Sequence, residues 1–215
     1  MPIVYLGPTM DVTKAKSLLR ADYRPPARRW DILNDCLEGA QMIILIDGVF
    51  LDEYPPSPKE LASVLKEGIK VWGCSSMGAL RAVELRKLGM KGSGIIYNQY
   101  LSRQVEDDDE VAVVFNNTTN KAYSYALINL RYTLNILVNN NLLDKDDAKK
   151  VFDNQKSIYF PDRNFLSIKY SCIDIFGEVK GLRIYEMIKS NWIDLKKVDA
   201  EILLRFISEQ GSWRC

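Results

Sequence analysis

The sequence predicts an α/β protein, with a mostly parallel sheet flanked by helices in its N-terminal half and a helical C-terminal half. Three features lead to that reading. Short apolar runs alternate with amphipathic stretches as far as Leu88, the rhythm of strand–helix–strand units. The run Met42–Ile46 is apolar throughout, which suits a strand buried on both faces of a parallel sheet. From Lys121 onward the patterns are helical.

Taken in order, Ile3–Leu6 reads as a first strand ended by Gly7-Pro8-Thr9. Asp11 or Thr13 can cap a first helix through Leu19, and Pro25-Pro26 breaks the chain after it. A second helix spans Arg28–Leu37. Met42–Ile46 is the second strand, closed by Asp47-Gly48. Pro55, Pro56 and Pro58 stiffen the next connection, and Pro58 suits the first turn of a helix through Lys66. Lys70–Gly73 is a third strand and Met77–Leu88 a third helix. Gly94–Tyr97 and Val111–Phe115 are expected as further strands, separated by a helix and an acidic run. Later helices fall at Lys121–Asn139, Asp144–Asn154, Phe165–Ile175, Leu182–Asn191 and Leu195–Glu209. No repeat or low-complexity linker interrupts the chain. It reads as one compact unit, an α/β core over residues 1–117 with a helical extension over 118–215 packed on it.

Composition excludes several functions. The chain has 215 residues, 47% hydrophobic and 27% charged, enough to bury a core without disulfides. Its net charge of +1 lacks the basic excess of a general nucleic-acid binder. It contains no histidine, which removes His-based zinc sites, Ser-His and Cys-His pairs, and any imidazole base. Acid–base chemistry therefore falls to Asp, Glu, Lys, Tyr or Cys. Cys36, Cys74, Cys172 and Cys215 are scattered without a CxxC pair, so neither a metal knuckle nor a redox motif is expected. Cys36 and Cys74 read as reduced core residues. No cofactor or metal is expected. No apolar run approaches the ~20 residues that cross a bilayer, and Pro2–Leu6 meets Gly7 without a charged leader segment. The expectation is a cytoplasmic protein with neither membrane nor nucleic-acid partners.

The sharpest local signal is Gly73-Cys74-Ser75-Ser76-Met77-Gly78-Ala79, placed where an apolar strand gives way to an amphipathic helix. Small residues around Ser76 permit a tight strand-to-helix turn of the kind that exposes a nucleophilic serine. The free backbone N–H groups of the helix start, Met77 among them, can hold a developing oxyanion. A plainer reading has Ser75 or Ser76 simply capping the helix. Lys59, after the Pro-rich loop, is the candidate base; burial or a neighbouring cation would have to free its proton. Its plainer reading is a solvated lysine paired with Glu60. Gly7-Pro8-Thr9 and Asp47 belong to the same sheet edge. Thr9 or its neighbouring amides can complete an oxyanion site, or form an ordinary turn. Asp47 either orients Lys59 or ends its strand. Arg24, Arg28 and Arg29 in a stiff segment suit carboxylate or acidic-partner recognition. The run Glu106-Asp107-Asp108-Asp109-Glu110 is a solvated loop, a Mg²⁺ ligand set or a dock for a basic partner. Arg81 and Glu84 are spaced to pair on their helix. Neither GxxxxGK[ST] nor a strand-linked GxGxxG is present, which argues against nucleotide binding.

The stretches GPTM, ADYRPPARRWD, IDGVF, KEL, SSMGALRAVEL, GMKGSG and EDDDEVAV occur in that order between Leu6 and Phe115. Together they resemble the TfuA family; the helical half carries no matching motif. The resemblance implies a partner of YcaO enzymes, which activate a peptide amide with ATP so that sulfur can enter. It implies a ThiS-like ubiquitin-fold carrier whose C-terminal thiocarboxylate holds that sulfur, and a hydrolase-like Ser–Lys pair that releases it. Ser76 matches the family serine, with Ser75 adjacent, and Lys59 of KEL matches the lysine. Family members commonly carry histidine just before that lysine, where this chain has Pro58. Arg24, Arg28, Arg29, Arg81, Asp107, Asp108 and Asp109 are then candidate contacts to a protein partner, with a substrate peptide as a further one. The alternative is a non-catalytic adaptor that improves the hold of the YcaO enzyme on its peptide.

Overall fold

A computed structural model of the chain describes residues 1–50, 53–116 and 118–211. Cys215 and Asn117, the expected end of the α/β part, lie outside the described residues. Among those described, five strands pair in parallel: β1 (Ile3–Tyr5), β2 (Asp22–Arg24), β3 (Met42–Leu45), β4 (Lys70–Cys74) and β5 (Lys91–Ser93). Their order is β2-β1-β3-β4-β5, so the order reverses between β1 and β3. In open α/β sheets that reversal opens a crevice at the carboxyl ends of the strands. Register lines up Arg24, Tyr5, Leu45, Gly73 and Gly92 across the sheet, which fixes the height of that edge.

The helices are α1 (Val12–Leu18), α2 (Asp31–Leu37), α3 (Pro58–Lys66), α4 (Met77–Leu85), α5 (Ile95–Leu101), α6 (Leu127–Asn139), α7 (Lys145–Ser157), α8 (Phe165–Phe176), α9 (Glu178–Ser190) and α10 (Leu195–Gln210). None is long and apolar enough to cross a membrane among the described residues. Contacts divide the chain into two units, one of Met1–Glu106 with the chain from Lys196 onward, the other of Asp107–Leu195.

In the first unit, strand alternation sorts the core onto two faces. Ile3, Tyr5, Ile43 and Leu45 pack with Ile32, Leu61, Val64, Met77 and Ala82 from α2, α3 and α4. Val4, Leu6, Ile44 and Ile46 pack with Ala15 of α1 and with Ala200, Leu203, Leu204 and Ile207 of α10. The sequence groups the last helix with the helical half; its apolar stripe instead covers this face of the sheet. In the second unit, Leu127, Leu130, Leu134 and Leu137 follow the helical period and meet Val151, Ile168, Cys172, Ile184 and Ile188.

Three other expectations change. Asp22–Arg24 forms an edge strand that its polar residues did not announce; backbone pairing with β1 places it. Gly94–Tyr97 begins α5 rather than a strand. Gly94 takes φ 101° and ends β5, and the Asp199 carboxylate of α10 accepts hydrogen bonds from Ile95 N (2.9 Å) and Ile96 N (2.8 Å). That cap comes from far along the chain, beyond the reach of local pattern. Val111–Phe115 forms no strand, only an isolated antiparallel bridge between Phe115 and Ala122.

Burial raises the Asp199 carboxyl from its ordinary 3.8 to about 6, against the opposing hydrogen bonds from Ile96 and Ile95. The native state thus binds this proton more tightly than the unfolded chain. Its contribution to stability is full below 3.8 and is lost as pH rises through about 6. Asp199→Asn keeps one acceptor oxygen but no titration. Urea unfolding across that window should show a flatter pH dependence for the variant than for the wild type.

Candidate active site

Between Cys74, the last residue of β4, and Met77, the first of α4, only Ser75 and Ser76 turn the chain. Ser75 takes φ 66°, in the left-handed region that serine rarely adopts, and Ser76 takes φ −101°, ψ −125°. Two glycines let the turn close. A Cβ on Gly73 would stand 2.1 Å from Gly78 O, and one on Gly78 would stand 1.8 Å from Leu45 O. The first turn of α4 therefore rests directly on the ends of β3 and β4. Gly78 N–H fastens it by donating to Ile46 O at 3.2 Å.

Both serines are buried, and neither behaves as a cap. Ser76 occupies the N-cap position, yet its side chain makes no capping hydrogen bond. Ser75 Oγ is buried with no hydrogen-bond partner among the described residues. An unsatisfied buried hydroxyl costs about 1–3 kcal/mol, and the left-handed backbone adds strain. The turn holds both at the partly positive end of a helix. Cys74 beside it is no competitor as nucleophile. Burial pushes its thiol well up, and the Asp199 and Asp47 carboxylates push further, so it stays protonated.

Asp47, 1% exposed, fixes the neighbouring turn. Its Oδ2 accepts from Gly7 N (2.9 Å) and Thr9 N (3.1 Å), and its Oδ1 accepts from Thr9 Oγ1 (2.6 Å). Of the two roles read for Asp47, neither describes this staple between β1 and β3. Thr9 gives both its N–H and its hydroxyl to Asp47, which removes them from the expected set of free oxyanion donors. Met77 remains, at the start of α4 where helix N–H groups lack intrahelical partners.

Lys59 is exposed on the first turn of α3. No hydrogen bond or ion pair joins it to Ser75 or Ser76 among the described residues. Nor does it pair with Glu60, which is buried and closes a capping box with Ser57. Arg81 steadies this region: Nε donates to Pro56 O at 2.8 Å, while Nη1 pairs with Glu84. The Pro-rich loop leading to Lys59 is thereby tied to α4.

The charged segments are largely spent within the chain. Arg24 pairs with Asp22 and with Asp35, and Asp35 also accepts from Tyr5 OH at 2.5 Å. Burial raises the Asp35 carboxyl, opposed by Tyr5 and Arg24. Arg28 pairs with Glu53. Arg29 is exposed, its guanidinium 5.7 Å from the Trp30 ring centroid and 5.6 Å from that of Tyr54. In the second unit, Asp107 pairs with Lys156 (2.5 Å) and Asp109 with Arg163 (2.7 Å), and Glu110 is buried against Arg131. The acidic run is thus a set of internal clasps around a 3-10 turn, with Asp108 left exposed. No cluster that could hold a metal ion occurs among the described residues. Sequence reasoning missed Asp199, Arg131, Arg163, Trp30 and Tyr54; of these Trp30 alone sits in a motif, near the end of ADYRPPARRWD.

Fold and edge define a parallel α/β protein whose candidate site lies at the carboxyl ends of its strands, where a strained serine turn meets a helix N-terminus. The TfuA-like protein family matches residues 47–164, more than half of the chain, and the protein belongs to that family. The family is associated with YcaO enzymes. The match takes in Asp47, Lys59, both serines and the acidic run. No curated protein matches the chain.

Gly78→Ala tests how tightly the turn is built. Its Cβ would meet backbone rather than a yielding side chain, so α4 must lift from β3, at a cost of about 3 kcal/mol. Denaturant unfolding should show that loss, where an ordinary Gly→Ala change in a helix would stabilise.

Proposed function

We propose that this protein is the YcaO partner in peptide-backbone thioamidation. In this reading its serine turn hydrolyses the C-terminal thiocarboxylate of a ThiS-like sulfur carrier and releases sulfide for the YcaO enzyme. The observation that carries the reading is the pair of buried serines at a strained strand-to-helix turn, with no capping bond and one hydroxyl without a partner. A turn that needed only to start a helix would satisfy those oxygens.

The carrier's terminal carbonyl enters above the turn, and the serine oxygen attacks its carbon. The resemblance puts the nucleophile at Ser76, while the unpartnered hydroxyl belongs to Ser75. The Met77 N–H and the positive end of α4 hold the oxyanion. The serine proton passes to Lys59 and then to the departing sulfur, so an acyl-serine and hydrosulfide form. Water, relieved of a proton by Lys59, then frees the carrier as a carboxylate. Exposed Lys59 needs desolvation to act as a base, and the docked carrier supplies it. The staple of Gly7 and Thr9 to Asp47 holds the rim beside the carbonyl. Hydrosulfide attacks the amide that the YcaO enzyme has activated.

A second reading, a non-catalytic adaptor for the YcaO enzyme, draws on one observation: no hydrogen bond joins Lys59 to either serine among the described residues. Single variants decide between them. Ser76→Ala removes no capping bond, so it should cost less than the ~1 kcal/mol of a typical lost cap, and Ser75→Ala should be neutral or stabilising. One of the two should lower sulfide release from a thiocarboxylated carrier by about 100-fold or more, as should Lys59→Ala. Lys59→Arg should not rescue, since guanidinium keeps its proton. Binding to the YcaO enzyme should survive in all four. Release at the wild-type rate from every variant would leave the adaptor.

A further inference from the structure

One surface feature is unused by that chemistry. Trp30 stands at the N-cap position of α2 with φ 76°, a left-handed backbone that a bulky side chain avoids. It is 55% exposed, and Tyr54, on the loop before α3, is 75% exposed. Between them lies Arg29, its guanidinium against both rings. Arg29 N–H donates to Tyr54 O at 2.8 Å, which locks the two loops together. Two residues earlier Ala27 N–H donates to Asp47 O at 3.0 Å, and Val49 N–H donates back to Ala27 O at 3.0 Å. Gly48 in turn lies against the Met77 side chain. The segment that carries Arg29 and Trp30 is thus tied, through Ala27, to the end of β3, whose Gly48 lies against the first residue of α4.

The physical pattern is unusual for a surface that does nothing. Strain at a bulky residue persists only where something else requires its placement, and Trp30 makes no capping bond that would explain it. Tryptophan, tyrosine and arginine are the residues that dominate binding hot spots. A guanidinium held beside two rings still offers its N–H edge, and that edge matches a carboxylate in bidentate fashion. The rings on either side would shed water as a partner closes and strengthen the charged contact.

We infer that Trp30, Arg29 and Tyr54 form a docking clamp for an acidic peptide segment of the protein whose terminal carbonyl enters the serine turn, with a carboxylate side chain seated on Arg29. This rests on the reading of the turn as a thiocarboxylate hydrolase. It adds the surface that would select the carrier.

The test uses the full-length protein and the carrier in two forms, thiocarboxylate and plain carboxylate, the latter unreactive. Trp30→Ala, Tyr54→Ala and Arg29→Glu should each raise the Kd for the carboxylate form by about tenfold or more, and Arg29→Lys should weaken it too, since lysine lacks the planar fork. Trp30→Gly is the discriminating variant: glycine accepts φ 76° readily, so the melting temperature should hold or rise while affinity falls. A Trp30→Gly variant that binds as tightly as wild type overturns the clamp, as does a set of variants with unchanged Kd. Wild type that binds the carboxylate form through these residues but releases no sulfide from the thiocarboxylate retains the clamp and rejects the hydrolase. Normal sulfide release with unchanged KM in the variants does the reverse. No binding of either form to wild type rejects both.

Discussion

The carboxylate of Asp47 is the constraint on which the candidate site depends. A buried charge is tolerable only when its oxygens are filled, and here three donors from Gly7 and Thr9 fill them. The same residue accepts Ala27 N–H through its carbonyl and gives its own N–H to Tyr5 O. One position therefore joins the turn after β1, the end of β3 and the segment that follows β2. Pulling the turn after β1 away would strand a buried charge, so the three segments are committed to one arrangement.

On that base the serine turn is set by contact rather than by charge. Gly73 and Gly78 bring the backbone of α4 against β3 and β4 closer than any side chain would permit. The close approach leaves two residues to reverse the chain, and Ser75 absorbs the conformational strain. Strain and an unfilled hydroxyl at one spot are affordable because the surrounding core is ordinary. Alternate residues of β1 and β3 bury one face against α2, α3 and α4 and the other against α1 and α10.

The three central strands, β1, β3 and β4, and most helices were legible because they follow local physics. Met42–Leu45 is apolar throughout, Pro58 and Ser57 mark the start of α3, and Asp11, Asp144 and Asn164 each cap the helix that follows. The serine turn was legible from its glycines. What sequence could not supply were contacts between residues far apart. Asp199 caps α5, Arg163 and Arg131 take up the acidic run, and Thr9 gives its donors to Asp47. Each converts a residue that reads as free into one that is engaged. The exposed cluster was half visible: its arginine stood out among Arg24, Arg28 and Arg29 with Trp30 next to it in the chain, while Tyr54 is brought beside them only by the pairing of two loops.

The position of α10 has a consequence for synthesis. The sheet is complete once β5 has been made, yet one of its faces, with Val4, Leu6, Ile44 and Ile46, waits for Ala200, Leu203, Leu204 and Ile207. The whole of Asp107–Leu195 is translated in between. A nascent chain that has left the ribosome only as far as that second unit carries an apolar sheet face covered by α1 alone, the kind of surface that recruits holdases or seeds aggregation. The first unit is the earlier one to begin and the later one to finish.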